Sequence, residues 1–431
     1  MQKILVKDFS CIKNADLEIS PLTLIIGPQA SGKSVLSKLV YFFTHIITDF
    51  NRYVTEDQLC FDDFEKRISA LFFEWFPCSA WGAKRFVIKF ELGEFSIYLH
   101  RVGKQNKIKI QFCDKFKEIY LSTHTQYLSA IKKAEAQNNY KDEFLHYEML
   151  WQMRQNISLA LKKWLDREYI QNQLFIPAGR SFFTSVGKAL VAFEHSGIMD
   201  PLTLDFGRKF STMRERQLRR LIGSKEEPSS LSNILFSEIL GGHLKMENGK
   251  EFISTPDGRL IPFSALSSGQ QELLPLAVAI RAMLPSKEND IAFKKGASLR
   301  QTIYIEEPEA HLFPRAQNKL VEILATLLPR RNNNNLLITT HSPYVLAKFN
   351  NLIKAGSLSR PGKNEINMTI SSIIPMASWV LPKQVNAYAI IDGQLKNIID
   401  KYGLIAADYL DDVSGDISKE FSKLLAIEFS K

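Results

Sequence analysis

Hydrophobic and polar positions alternate through the first twenty residues and then give way to an apolar run, Leu22-Thr23-Leu24-Ile25-Ile26. The alternation predicts edge strands, and the run predicts a strand buried on both faces. At Gly27 the pattern becomes a glycine-punctuated loop, followed by a helical period through Val35, Leu36, Leu39, Val40 and Phe43. Between 85 and 112 three alternating sets follow one another: Phe86, Ile88, Phe90 and Leu92; Phe95, Ile97 and Leu99; Ile108, Ile110 and Phe112. With Gly93 and Gly103 between them they predict a three-stranded meander. From 122 to 173 the period is helical with a break at Gln137-Asn138-Asn139, which predicts a helical hairpin too short for a coiled-coil arm. A short strand at 174–177 ends at Gly179-Arg180-Ser181, and Gly241-Gly242 and Asp257-Gly258 mark a glycine-rich hairpin. Two buried strands, 302–305 and 336–339, flank an amphipathic helix carrying Leu320, Ile323, Leu324 and Leu327. The asparagines 332–335 between helix and strand read as a loop.

Composition narrows the class. The chain has 431 residues, 45% hydrophobic and 23% charged, enough for a sizeable core and unlike a disordered, collagenous or coiled-coil protein. No apolar stretch reaches the ~18 residues of a membrane span. Lys3, Lys7 and Asp8 stand where a secretory signal needs its apolar region. Cys11, Cys60, Cys78 and Cys113 are scattered with no CxxC pair, which fits neither a disulfide framework nor a zinc site. The expected location is the cytoplasm. The net charge of +9 is concentrated in Arg208, Lys209, Arg214, Arg216, Arg219, Arg220 and Lys225, with Glu215 the single acid among them. That segment is either a polyanion contact or a solvated helix face.

Four motifs carry chemistry. Gly27-Pro28-Gln29-Ala30-Ser31-Gly32-Lys33-Ser34 fits G-x-x-x-x-G-K-[ST] between a predicted strand and a predicted helix. In that context the glycines let the backbone wrap a phosphate, and the helix start offers free N–H groups. Lys33 would reach the β- and γ-phosphates, Ser34 would ligate Mg²⁺, and Val35 closes the nucleotide-contacting stretch. The alternative is a structural turn. The strand 302–305 runs into Glu306-Glu307-Pro308. There the first carboxylate can hold Mg²⁺ and the second can polarise an attacking water; the alternative is an acidic loop. The strand 336–339 delivers His341-Ser342-Pro343 to the same sheet edge, where the histidine can meet a γ-phosphate. Ser267, Ser268, Gly269 and Gln270 open a helix, and suit both an N-cap and an anion contact.

In this order the motifs resemble those of ABC-type ATPase heads of the SMC, Rad50, RecF and OLD group. Glu306-Glu307-Pro308-Glu309-Ala310-His311 and Thr340-His341-Ser342-Pro343 resemble the OLD branch. Ile176-Pro177-Ala178-Gly179-Arg180-Ser181 is similar to a segment common in small prokaryotic ATPases of that branch. With the phosphate loop added, the chain looks like the PtuA-type ATPases of Septu and retron antiphage systems. The resemblance implies an α/β ABC-type P-loop head with an inserted helical hairpin and an α-rich C-terminal tail. Its parts would be 1–50 with the phosphate loop, 51–121 as antiparallel β, 122–173 as hairpin, 174–350 as the second half of the head, and 351–431 as the α-rich region. It implies ATP and Mg²⁺ as ligands, with Lys33, Glu307 and His341 catalytic and Ser34 and Glu306 on the metal. Ser267, Ser268, Gly269 and Gln270 would complete the nucleotide site of a second copy in a homodimer or higher even oligomer. The implied partner is a separate effector, an HNH-type nuclease or a reverse-transcriptase–DNA complex. The other reading is a RecF-like repair ATPase with the 208–225 segment as its DNA track; a transporter subunit is disfavoured by the long stretch between phosphate loop and signature.

The chain departs from the pattern in places. Glu306 stands where many relatives carry Asp, and no Q-loop glutamine is identifiable, because Gln171 and Gln173 precede the 174–177 strand. OLD nucleases add a metal-binding TOPRIM centre, to which the nearest approach here is Ile390-Ile391-Asp392-Gly393-Gln394, with Gln394 in place of the second acid. No nuclease centre is therefore expected in this chain, and Asp408, Asp411 and Asp412 read as part of a solvated C-terminal helix.

Overall fold

A computed structural model describes residues 1–103, 105–136, 143–186, 199–223, 234–248, 250–283, 300–328, 334–360 and 362–406, together with Glu420 and Ser422. In chain order the N-terminal part contains β1 (Gln2–Phe9), β2 (Ile12–Ile19), β3 (Leu22–Ile26), α1 (Lys33–Thr48), α2 (Phe50–Thr55) and α3 (Phe61–Trp75). The meander β4 (Val87–Leu92), β5 (Phe95–Arg101) and β6 (Ile108–Phe112) leads into α4 (Asp114–Ala136) and α5 (Glu143–Leu165). Next come β7 (Asn172–Ile176), α6 (Phe182–Val186), α7 (Pro201–Gly223), β8 (His243–Glu247), β9 (Lys250–Ser254), β10 (Leu260–Pro262) and α8 (Ser268–Met283). The last part holds β11 (Gln301–Glu306), α9 (Pro314–Thr326), β12 (Asn334–Thr340), α10 (Pro343–Leu358), α11 (Asn364–Ile373), β13 (Val385–Ile391) and β14 (Gln394–Asn397).

Among the described residues eleven strands make one sheet, in the order β6-β5-β4-β1-β2-β14-β13-β3-β12-β11-β7, and β8, β9 and β10 make a small second one. The chain is thus α/β, as its sequence implies. The stretch β13-β3-β12-β11-β7 is parallel, and β6-β5-β4-β1-β2 is antiparallel.

Both faces of the parallel part are covered, which explains its unbroken apolar runs. Leu22, Leu24 and Ile26 of β3, Ile303 and Ile305 of β11, and Leu336 and Ile338 of β12 pack with α8, α9 and α10. The intervening Ile25, Tyr304 and Leu337 join the other core, with α1 to α5.

Several expectations shift. β1 and β2 lie inside the sheet, and β6 and β7 are its edges; their alternation reflects one fully buried face, not an edge position. Residues 51–121, expected as antiparallel β, begin with α2 and α3. Phe61, Phe64, Ile68, Leu71 and Phe72 are buried at helical spacing there. The hairpin begins at Asp114, not 122, and is no free arm: Phe116, Tyr120 and Tyr127 of α4 and Ile157, Leu161 and Leu165 of α5 are buried in the core. The tyrosines donate to the carbonyls of Leu59 (2.9 Å) and Thr55 (2.9 Å). The break at 137–139 lies outside the described residues. Asn334 and Asn335, expected in a loop, are buried at the start of β12. Beyond α10 and α11 the C-terminal region is not only helical. β13 docks between β3 and β14, because Val385, Ala387 and Ala389 fill the core beside the phosphate-loop strand.

Candidate functional site

The buried strand β3 stops at Ile26, and Pro28, Gln29 and Ala30 form an exposed loop tip before the chain turns into α1. Gly32 closes that loop at φ 106°, a backbone conformation that strains any residue with a side chain. The first turn of α1 has neither an acidic residue nor a side-chain cap, which leaves its N–H groups and positive end facing the loop. Lys33 is buried and donates to the carbonyls of Gly27 (2.9 Å) and Pro28 (2.8 Å). Burial pulls its pKa below the ordinary lysine value, against the opposing charges of Glu307, Glu309 and Glu306. Ser34 is exposed beside it and Val35 is half-buried, while Ser31 Oγ is buried without a hydrogen-bond partner.

Three parallel strands end at this loop's level. β12 lies between β3 and β11, so the histidine strand separates the phosphate-loop strand from the acidic one. Glu306, at the end of β11, is 6% exposed. Its Oε2 accepts from the Ala178 N–H at 3.2 Å, and its Oε1 has no hydrogen-bond partner. Glu307 then adopts a left-handed backbone at φ 44°, with its N–H donated to Thr339 O at 2.9 Å. This turns its carboxylate out of the strand to 3.0 Å from His341 Nε2, and about a third of each side chain is open to solvent, 38% and 35%. His341 is itself fixed: its N–H and the Thr340 hydroxyl donate to Glu309 Oε1 at 2.8 and 2.6 Å. Ser342 then caps α10 by accepting from the Val345 N–H at 3.3 Å.

The Ile176–Ser181 segment supplies a residue whose role the motifs do not reveal. Arg180 is fully buried, and its guanidinium donates to the carbonyls of Pro177 (3.1 Å), Glu272 (3.0 Å), Glu306 (2.8 Å) and Glu307 (3.1 Å). Its Nε also lies 3.5 Å from Glu272 Oε1. Burial lowers its pKa, with the Glu272 carboxylate opposing first.

The signature residues open α8. Ser267 Oγ accepts from the Gln270 N–H at 3.4 Å, and Gln270 Oε1 accepts from the Ser267 N–H at 3.1 Å, a reciprocal capping box. Gln270 Nε2 donates to Leu240 O at 2.9 Å, so its side chain serves the fold here. Ser267 and Ser268 are exposed, and a Cβ on Gly269 would lie 2.9 Å from His311 O. α8 is bound to the β7 side of the sheet through Arg180 and through the Thr184 hydroxyl, which donates to Gln271 O at 2.8 Å. β7 is three strands from β3, about 14 Å at normal strand spacing.

Other candidates stay apart from this edge. Asp392 (φ 51°) and Gly393 (φ 79°) form the tight turn between β13 and β14. Gly393 O accepts from the N–H groups of Lys13 (2.8 Å) and Asn14 (3.2 Å). Among the described residues no group of three or more His, Cys, Asp or Glu is placed to hold a metal ion. Asp408, Asp411 and Asp412 lie outside the described residues. Gln173 is buried and donates to Tyr41 O at 3.1 Å. In the basic segment Lys209 pairs with Asp205 (2.8 Å), and Arg214 pairs with Glu251 and lies over the rings of Phe210 and Phe263. Both cations are drawn into the fold, while Arg216 is exposed. The side chains of Arg219, Arg220 and Lys225 lie outside the described residues. Among the described residues no helix is long and apolar enough to cross a membrane.

A family model described as "AAA domain, putative AbiEii toxin, Type IV TA system" matches residues 22–347. No curated protein sequence matches the chain. Among solved structures it is similar to an SMC head bound to the C-winged helix domain of ScpA, at 14% identity and TM-score 0.37 over 92% of this chain and 96% of that one. It is also similar to the SMC head domain from Thermotoga maritima, at 13% identity and TM-score 0.31 over 92% and 97%. A third is the Pyrococcus furiosus Smc head with an extended coiled coil bound to the C-terminal domain of ScpA, at 13% identity and TM-score 0.37 over 97% and 100%.

Proposed function

The chain belongs to this AAA-domain family, and from that premise we propose that it is an ATP-hydrolysing dimeric switch controlling a separate effector in antiphage defence. The observation that carries the ATPase reading is the meeting of Lys33, Glu306, Glu307 and His341 at the ends of three adjacent parallel strands.

Each side chain has a task there. The α1 N–H groups and Lys33 bind the β- and γ-phosphates, once Lys33 leaves the carbonyls of Gly27 and Pro28. Ser34 and Glu306 would hold Mg²⁺, and the unpartnered Oε1 of Glu306 fits that use. The ion, when bound, neutralises charge on the phosphates. Glu307 orients water and takes its proton, and His341 Nε2 holds the Glu307 carboxylate in place. Ser267, Ser268 and Gly269 open a helix tied to the β7 side of the sheet, three strands from the phosphate-loop strand. A second copy supplies them, and ATP bound between two copies stabilises their association.

For the effector we take an HNH-type nuclease of the Septu or retron kind, which is what the motif resemblance implies. Asp392, the nearest approach to a TOPRIM acid, is a hairpin-turn residue. The repair reading loses Lys209 and Arg214 from its DNA track.

Glu307→Gln tests the switch. It should bind ATP, accumulate as a dimer by light scattering, and hydrolyse about 10²-fold or more slowly, the size of a lost general base. A wild-type rate would refute the role given to Glu307. The same variant, drawn with ATP from its native host, should carry a stoichiometric nuclease or reverse transcriptase; chromosomal DNA with no protein partner would overturn the effector reading.

A further inference from the structure

The Arg180 guanidinium joins two elements that the motifs treat as separate. Its Nη1 and Nη2 hold the carbonyls of Glu306 and Glu307, and its Nε holds the Glu272 carbonyl of α8, within one turn of the signature residues. Glu272 answers from the other side, its Oε1 3.5 Å from Arg180 Nε and its Oε2 accepting from the Ser181 N–H at 3.3 Å. Glu307 needs such support. Its φ of 44° is unfavourable for a residue with a side chain. That backbone sets the direction of the carboxylate; its N–H is held by Thr339 O, and its carbonyl accepts from Arg180 Nη2 at 3.1 Å and from the Ala310 N–H of its own turn at 3.0 Å. A fully buried guanidinium whose bonds go to main-chain carbonyls of three elements fixes backbone, not substrate.

We propose that Arg180 is a positioning residue that sets the aim of Glu307 and makes it depend on the placement of the signature helix. This rests on the reading of Glu307 as the base. Under it, a second copy that presses on Ser267–Gly269 moves α8, and the Glu272–Arg180 pair carries that displacement to the Glu307 main chain. Hydrolysis is thereby tied to dimer formation without any contact between Arg180 and the nucleotide. Lysine cannot replace the fork, since one ammonium cannot hold carbonyls on both sides in a fixed plane.

A double-mutant cycle in single-turnover hydrolysis, with wild type, Arg180→Lys, Glu307→Gln and the double variant, separates this from a merely structural role. Arg180→Lys should slow hydrolysis by about 10²-fold, the usual effect of a misplaced catalytic group. Its affinity for a fluorescent ATP analogue should stay close to wild type. In the Glu307→Gln background the same substitution should change the rate little, because the group it aims is already gone. Equal factors in both backgrounds would overturn the positioning role alone. A Glu307→Gln rate equal to wild type would overturn both it and the reading beneath it. If Arg180→Lys is not folded by circular dichroism, Glu272→Gln takes its place in the cycle. It keeps an oxygen for the Ser181 N–H and removes the charge facing Arg180, and the same two outcomes decide.

Discussion

Lys33 is a cation held out of water by the loop it serves, and this has a measurable consequence. Burial lowers its pKa, and only the protonated form binds phosphate. The nucleotide's own charge raises the lysine pKa in the complex, so protonation and binding favour each other. As pH rises through the lowered pKa of the free protein, ATP affinity should therefore fall, starting below the 10.5 of ordinary lysine. Titrating the ATP dissociation constant from neutral pH upward checks this, and a constant affinity up to 10.5 would contradict it. Residues such as Lys33, Ser34, Glu306, Glu307 and His341 are legible in the sequence because their chemistry is local: a strand end, a loop and a helix start within a few positions. Arg180 is not legible in the same way. Its hydrogen bonds beyond its own turn go to main-chain carbonyls 92, 126 and 127 residues away, and its one close side-chain partner, Glu272, is just as remote in sequence, so no local pattern marks them. Glu309 is similar: it stands inside a quoted motif, yet its work is to fix the Thr340 hydroxyl and the His341 N–H from a different strand.

At the scale of elements, periodicity reveals which residues face a core but not which strands become neighbours. The meander β4-β5-β6 follows from alternation and glycine turns, since its pairing is sequential. β13 pairs with β3 across more than 350 positions, and its apolar run sits next to Asp392-Gly393, which draws the eye to metal chemistry instead. The hairpin α4–α5 shows the same limit: its helical period is plain, but its depth in the core is not. Phe116 is fully buried and its ring meets those of Phe50, Phe64, Phe95 and Phe112. Phe116→Ala should then cost about 3–5 kcal/mol, the usual loss for emptying such a site. Urea unfolding measures it. A loss within about 0.5 kcal/mol, as for a surface position, would mean that the hairpin stands free of the head.

The whole molecule sets its phosphate loop and its signature helix beside different strands of one sheet, which makes the completeness of a single chain's proposed nucleotide site an experimental question. The phosphate loop follows β3, whereas the exposed signature residues are tied through Arg180 and Thr184 to the β7 side. Under the proposed switch, one bound nucleotide meets both because they come from different copies, related by a two-fold axis that uses each surface twice. Lys33→Ala removes the phosphate contact but leaves a sound signature. Gly269→Asp does the reverse, because a side chain there strikes His311 O and sets a negative charge where phosphate should rest. Each variant alone should be inactive, and Gly269→Asp should still bind ATP to its own phosphate loop without forming the ATP-dependent dimer. A mixed dimer has one site ruined twice, and one site made from the sound loop of the Gly269→Asp chain and the sound signature of the Lys33→Ala chain. Hydrolysis should return when the two inactive proteins are mixed, in proportion to the heterodimer formed. If each chain held a complete site of its own, the mixture would do no more than its separate parts.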